Sequence, residues 1–157
     1  MSFDGFPFIV GWELTLQCNL CCRHCGSSAG IPRADELTTK EALKICDQFS
    51  ALLVKEVDFT GGEPLLREGW PVITEYLVNM GICTNILTNG LNLKKETIKK
   101  MKQVGISCVG LSIDGLEPTH DYIRGHKGSY VSVLKSIEML LDQDIQMNLI
   151  TTVNALN

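Results

Sequence analysis

Val54-Lys55-Glu56-Val57-Asp58-Phe59-Thr60-Gly61-Gly62-Glu63-Pro64 reads as a short β-rich run that passes directly into a glycine turn. Two adjacent glycines let a backbone approach a ligand closely, and Glu63 at the mouth of a sheet is placed to accept hydrogen bonds from a cation. The same four residues also fit a plain strand-to-helix turn in which Pro64 sets the exit. The segments on either side repeat the alternation. Phe8 to Leu16 is expected as a first strand, and Thr38-Thr39-Lys40-Glu41 has the form of a capping box opening a helix along Leu43, Cys46, Phe49 and Leu53. Trp70 to Met80 is expected as a second helix, and Ile82 to Leu87 as a third strand closed by Asn89-Gly90. Leu93 to Val104 follows as a helix with a lysine-rich solvated face, and Ile106 to Ile113 as a fourth strand. Val131, Leu134, Ile137 and Leu141 mark a further helix, and Ile145 to Val153 a fifth strand.

Strands alternating with helices at this spacing imply parallel β-α-β units. The fold class is therefore α/β, a parallel sheet with about five strands and four helices. A closed eight-unit barrel needs about 250 residues, and this chain has 157. It reads as one domain over residues 1–157, without a linker or low-complexity segment.

Composition narrows the function. Eighteen acidic against fourteen basic residues give a net charge of −4, so there is neither a basic footprint for nucleic acid nor a polybasic membrane patch. No apolar run reaches the ~18 residues of a membrane span, and Met1-Ser2-Phe3-Asp4 lacks the basic start of a signal peptide. The expected compartment is the reducing cytoplasm. Seven cysteines are an odd number, which argues against a closed disulfide framework, and four of them fall within eight residues. A metal site accounts for that crowding.

The crowded segment is Cys18-Asn19-Leu20-Cys21-Cys22-Arg23-His24-Cys25. Cys18, Cys22 and Cys25 have the spacing C-x3-C-x2-C. Thiolates suit iron–sulfur clusters, which usually take four cysteines, so three leave one iron open for chemistry. Cys18 and Cys21 also form C-x2-C, and with His24 and Cys25 they would make a zinc knuckle in an interaction module. Cys46, Cys83 and Cys108 supply no second pair for such a site; each is expected as a small buried hydrophobe.

Cys18-x3-Cys22-x2-Cys25 after a first strand, with Gly61-Gly62-Glu63-Pro64 after the second, resembles the radical S-adenosylmethionine (SAM) superfamily. Leu87-Thr88-Asn89-Gly90, Leu111-Ser112-Ile113-Asp114-Gly115 and His120-Asp121-Tyr122-Ile123-Arg124-Gly125 agree with it. The last two resemble SPASM-like members that modify peptides or proteins and enzymes of cofactor maturation. The resemblance implies a radical SAM partial barrel holding a [4Fe–4S] cluster on Cys18, Cys22 and Cys25. It also implies reductive cleavage of SAM to a 5′-deoxyadenosyl radical that abstracts hydrogen. Gly62 and Glu63 would meet the amino group of SAM, His24 its adenine, and Ser112 and Arg124 its polar groups, with Arg124 the carboxylate partner. Thr88 and Asn89 would lie at the pocket mouth.

An electron donor such as flavodoxin or ferredoxin is implied, with a peptide, protein or small molecule as substrate. Six strand–helix units are usual in the family. The expectation is thus that 1–157 is the N-terminal part of a core domain, with a truncated, catalytically incomplete, cluster-binding fragment as the alternative reading.

Overall fold

The computed structural model describes residues 7–157; the opening Met1 to Asp4, read above for a leader, lies outside them. Five strands form one sheet in the order β1-β2-β3-β4-β5, every neighbouring pair parallel: β1 Ile9–Thr15, β2 Glu56–Gly61, β3 Cys83–Thr88, β4 Cys108–Ser112 and β5 Met147–Ile150. Helices fill the connections, α1 Thr39–Ala51, α2 Trp70–Asn79, α3 Lys95–Val104, α4 Glu117–Arg124 and α5 Ser129–Asp142. Among the described residues no helix is long and apolar enough to cross a membrane.

The capping box forms as read: Glu41 N–H donates to Thr38 Oγ1 and Thr38 N–H to Glu41 Oε2. Side chains alternate across the sheet because successive Cβ atoms point to opposite faces. Val57, Phe59, Ile86, Val109 and Leu111 are buried against the helices, joined by Ile73, Leu77, Ile98 and Met101. Trp12 locks β1 onto this core, its ring edge-on to Phe49 at 5.4 Å and to Phe59 at 5.9 Å. The face away from the helices is polar. There Asn85 Nδ2 bridges Glu56 Oε1 at 2.9 Å and Asp58 Oδ1 at 2.8 Å.

Two expectations change. Cys46 is fully buried in α1, but Cys83 and Cys108 are only half-buried. They fall on the alternate positions of β3 and β4, facing away from the helices, because Thr84 and Val109 take the buried places. The second change is an addition to the four expected helices. Residues 117–124 form α4, which opens with Pro118 in its first turn and closes on Gly125 in the left-handed region. Eight residues are too few for a helical period to stand out. Asp121 on α4 starts the next helix, its carboxylate accepting from Gly128 N, Tyr130 N and Ser129 Oγ. The lysines of α3 do lie on its solvated side, with Ile98, Met101 and Val104 turned inward.

Candidate functional site

All three cysteines lie in the long connection after β1, at the end of the sheet where parallel folds place reactive loops. The register of β1 against β2 shifts between Glu13 and Thr15, so the last pair is Thr15 with Gly61. From there Gly62 N–H donates to Thr15 O at 2.8 Å and Glu63 N–H to Gln17 O at 2.7 Å. The glycine turn and the cysteine loop are thereby stitched together.

Further ties close that loop. Cys18 N–H donates to Gly30 O and Gly30 N–H to Leu16 O. The Glu36 carboxylate accepts from Thr15 Oγ1, from Leu16 N–H at 2.7 Å and from Arg33 N–H at 3.2 Å. Arg67 donates to Leu14 O and Leu37 O, both at 2.7 Å. On the opposite flank Arg23 stacks over the Tyr122 ring at 4.1 Å and donates through its backbone N–H to Ile123 O. A Cβ at Gly125, whose φ is +66°, would lie 2.5 Å from Cys21 O. Helix α4 is thus the backstop of the cysteine loop.

The cleft so formed has a volume of about 220 Å³ and is lined by Cys18, Cys22, His24, Cys25, Gly61, Gly62, Thr88, Asn89, Ser112 and Arg124. Every residue expected from the sequence is there except Glu63. Cys21 is exposed and lies outside it. Burial pushes the Cys18 and Cys22 thiols up; Glu63 and Cys22 add to the rise at Cys18, while Arg124 partly offsets it at Cys22.

The donor set fits an iron–sulfur cluster. Ala29 N–H donates to Cys25 Sγ at 3.3 Å and Arg124 Nη1 reaches Cys22 Sγ at 3.9 Å, so two sulfurs already sit opposite N–H donors of the kind that surround cluster sulfurs. Among the described residues no trio of His, Cys, Asp or Glu side chains surrounds a single-ion point.

Glu63 lies behind the cleft. Its carboxylate accepts from Thr88 Oγ1 at 2.9 Å, from Asn89 N–H at 2.9 Å and from Leu65 N–H at 3.2 Å. Asn89 in turn donates to Asn19 Oδ1 at 2.8 Å, beside Cys18. Glu63 therefore ties the β3 turn to the glycine turn. Burial nonetheless pushes its carboxyl up from 4.5 to about 7.

The folded chain then holds a proton that the unfolded chain has released, so the contribution of Glu63 is greatest below pH 4.5 and falls as pH rises toward about 7. At about 1.36 kcal/mol per pKa unit, the loss is about 3 kcal/mol. Urea unfolding of metal-free wild type and Glu63→Gln across this window is expected to show the wild type losing that much relative to the variant. A constant difference would mean an ordinary anion.

Sequence reasoning missed Glu36 and Asp114. Asp114 is fully buried after β4, its Oδ2 at 2.7 Å from Arg124 Nε and 3.4 Å from His24 Nε2. A buried carboxylate must find a cation or several donors, but nothing in Leu111-Ser112-Ile113-Asp114-Gly115 says which. The resemblance implies a carboxylate of SAM as the partner of Arg124, and the folded chain adds Asp114.

Comparison with known proteins agrees with this geometry. The sequence profile of the Radical SAM superfamily matches residues 12–157. The chain is 36% identical over 157 residues to Fe-coproporphyrin III synthase of Methanosarcina barkeri, covering 99% of this chain and 39% of that protein. It is 31% identical over 157 residues to the sporulation killing factor maturation protein SkfB of Bacillus subtilis, covering 99% and 38%. The fold is that of Streptococcus suis SuiB bound to S-adenosylmethionine, with a TM-score of 0.81 at 20% identity over 96% of this chain and 35% of that one. The chain thus spans about two fifths of the length of the relatives it matches.

Proposed function

The chain belongs to the radical SAM superfamily, whose cofactors are SAM and a [4Fe–4S] cluster, and on that premise we propose that residues 1–157 form the cofactor-binding core of a maturation enzyme. In this reading Cys18, Cys22 and Cys25 hold the cluster and the cleft beside them takes SAM. The observation that carries it is that the three thiols, the Gly61-Gly62 backbone, Ser112 and Arg124 line one cleft at the strand ends.

When bound, the cofactors supply a 5′-deoxyadenosyl radical for hydrogen abstraction from the substrate, drawing one electron from a donor such as flavodoxin or ferredoxin. The protein's own residues bind and orient. Gly61 and Gly62 let their turn close onto Thr15 and Gln17 and line the cleft that would take the amino group. Arg124, with Nε toward Asp114 and Nη1 toward Cys22, has its remaining Nη2 for a carboxylate, and His24 lines the cleft where an adenine would pack. Glu63 acts by holding Thr88 and Asn89 at the rim. Its buried carboxyl becomes an anion more readily when an ammonium docks nearby.

Peptide or cofactor maturation is the class of reaction in view. Among relatives, SkfB is a maturation protein by name, and SuiB has been solved with its precursor peptide SuiA. Fe-coproporphyrin III synthase belongs to the cofactor side. Anaerobic reconstitution tests the core of the proposal: about four irons with matching acid-labile sulfide are expected per chain, with an electron paramagnetic resonance signal that changes when SAM is added. A single zinc, or a cluster indifferent to SAM, would overturn it.

A further inference from the structure

Asp114 has no exposed surface, and its polar atoms reach several partners near the cysteines. Its Oδ1 accepts from Thr152 N–H at 3.0 Å, its backbone N–H donates to His120 Nδ1 at 3.1 Å, and its carbonyl accepts from Asn157 Nδ2 at 2.9 Å. The backbone of Asp114 is thereby tied on both sides, and one carboxylate oxygen is held by Thr152 N–H. Its remaining oxygen, Oδ2, faces Arg124 Nε at 2.7 Å, off the axis of a linear hydrogen bond. The far end of the same guanidinium lies 3.9 Å from Cys22 Sγ. Arg124 thus spans from a rigid buried anion to a sulfur assigned to the cluster.

We propose that Asp114 is a positioning residue, which aims Arg124 so that its Nη1–H donates to the Cys22 sulfur and makes the cluster easier to reduce. Reduction adds one electron, and so negative charge, to the cluster. A charged N–H donor at a ligand sulfur stabilises that added charge, and hydrogen bonds to sulfur are among the factors that set cluster potentials. The carboxylate itself lies behind the guanidinium, its charge balanced at 2.7 Å. Its own field also reaches the Cys22 sulfur and opposes added negative charge, so its placing of the arginine has to outweigh that field. Lysine would not serve, because its single point charge cannot span both partners as the planar fork does.

The inference rests on the cluster assignment, and the experiment separates the two. Midpoint potentials are measured by paramagnetic-resonance titration with a chemical reductant, on reconstituted wild type, Asp114→Asn, Arg124→Gln and the double variant. Both single variants are expected to be about tenfold harder to reduce, which is about 59 mV for a one-electron couple. The double variant is expected to shift no further than Arg124→Gln, because Asp114 acts through Arg124.

An unchanged or higher potential in Asp114→Asn, or additive shifts in the double variant, would overturn the proposal. Should Asp114→Asn fold poorly, Arg124→Lys decides. It keeps the charge and loses the span, so a wild-type potential there would also overturn the proposal. A protein that takes up no four-iron cluster at all defeats the functional reading first, while a normal cluster with unmoved potentials defeats only this inference.

Discussion

Cys22→Ala is expected to leave the anaerobically reconstituted protein without a cluster, while Cys21→Ala retains about four irons and four sulfides per chain. The two thiols are adjacent in sequence, and spacing alone permits either. Their surroundings differ. Cys22 is half-buried in the cleft with Arg124 Nη1 at 3.9 Å, and its backbone carbonyl accepts from Cys25 N–H at 3.2 Å, closing the turn that brings two ligands together. Cys21 is exposed on the far side of that turn, where its carbonyl packs against Gly125.

Since burial holds the Cys22 thiol protonated in the metal-free chain, cluster uptake also releases its proton, and affinity falls toward acid pH. Iron and sulfide analysis of the two variants, with visible absorbance as a second readout, checks the assignment. A cluster retained by Cys22→Ala and lost by Cys21→Ala would move the site to Cys18, Cys21 and Cys25.

How much of this was legible beforehand depended on whether a feature is local in sequence. Strand–helix alternation, the capping box at Thr38 and Glu41, and the cysteine spacing are each set by residues a few positions apart, and each appears as read. The direction of Glu63 was not legible. Its partners Thr88 and Asn89 come from the next strand end, 25 and 26 residues on. The same holds for Glu36, whose grip on Thr15 and Leu16 closes a loop across 20 residues or more, and for Asp114. A charged residue announces that it needs a partner when buried, but sequence does not say that it is buried. Cys83 and Cys108 fail for a related reason: a cysteine in a strand suits either face, and only the register of β3 on β4 decides which.

Gly62→Ala is expected to be strongly damaging although it adds a single methyl group. A Cβ at this position would lie 2.3 Å from Gln17 O, 2.7 Å from Leu16 O and 2.8 Å from the Gln17 carbonyl carbon. All three are backbone atoms, so no rotamer change relieves the clash, and the ends of β1 and β2 must separate.

Separation costs the hydrogen bonds from Gly62 N–H to Thr15 O and from Glu63 N–H to Gln17 O, at about 1 kcal/mol each. Overpacking strain adds about 1–3 kcal/mol. The entropic gain of replacing glycine, at most about 1 kcal/mol, does not offset this. A net loss of about 2–4 kcal/mol follows, visible as a lower urea midpoint. Because Gln17 is the neighbour of Cys18, the same displacement shifts the first cluster ligand, and iron content is expected to fall with stability.

Gly26→Ala is the control. It lies in the same cysteine loop, but a Cβ there meets nothing within 4 Å, so midpoint and iron content should stay near wild type. If Gly62→Ala instead matched Gly26→Ala in both measurements, the close approach of the two strand ends would not be what positions Cys18.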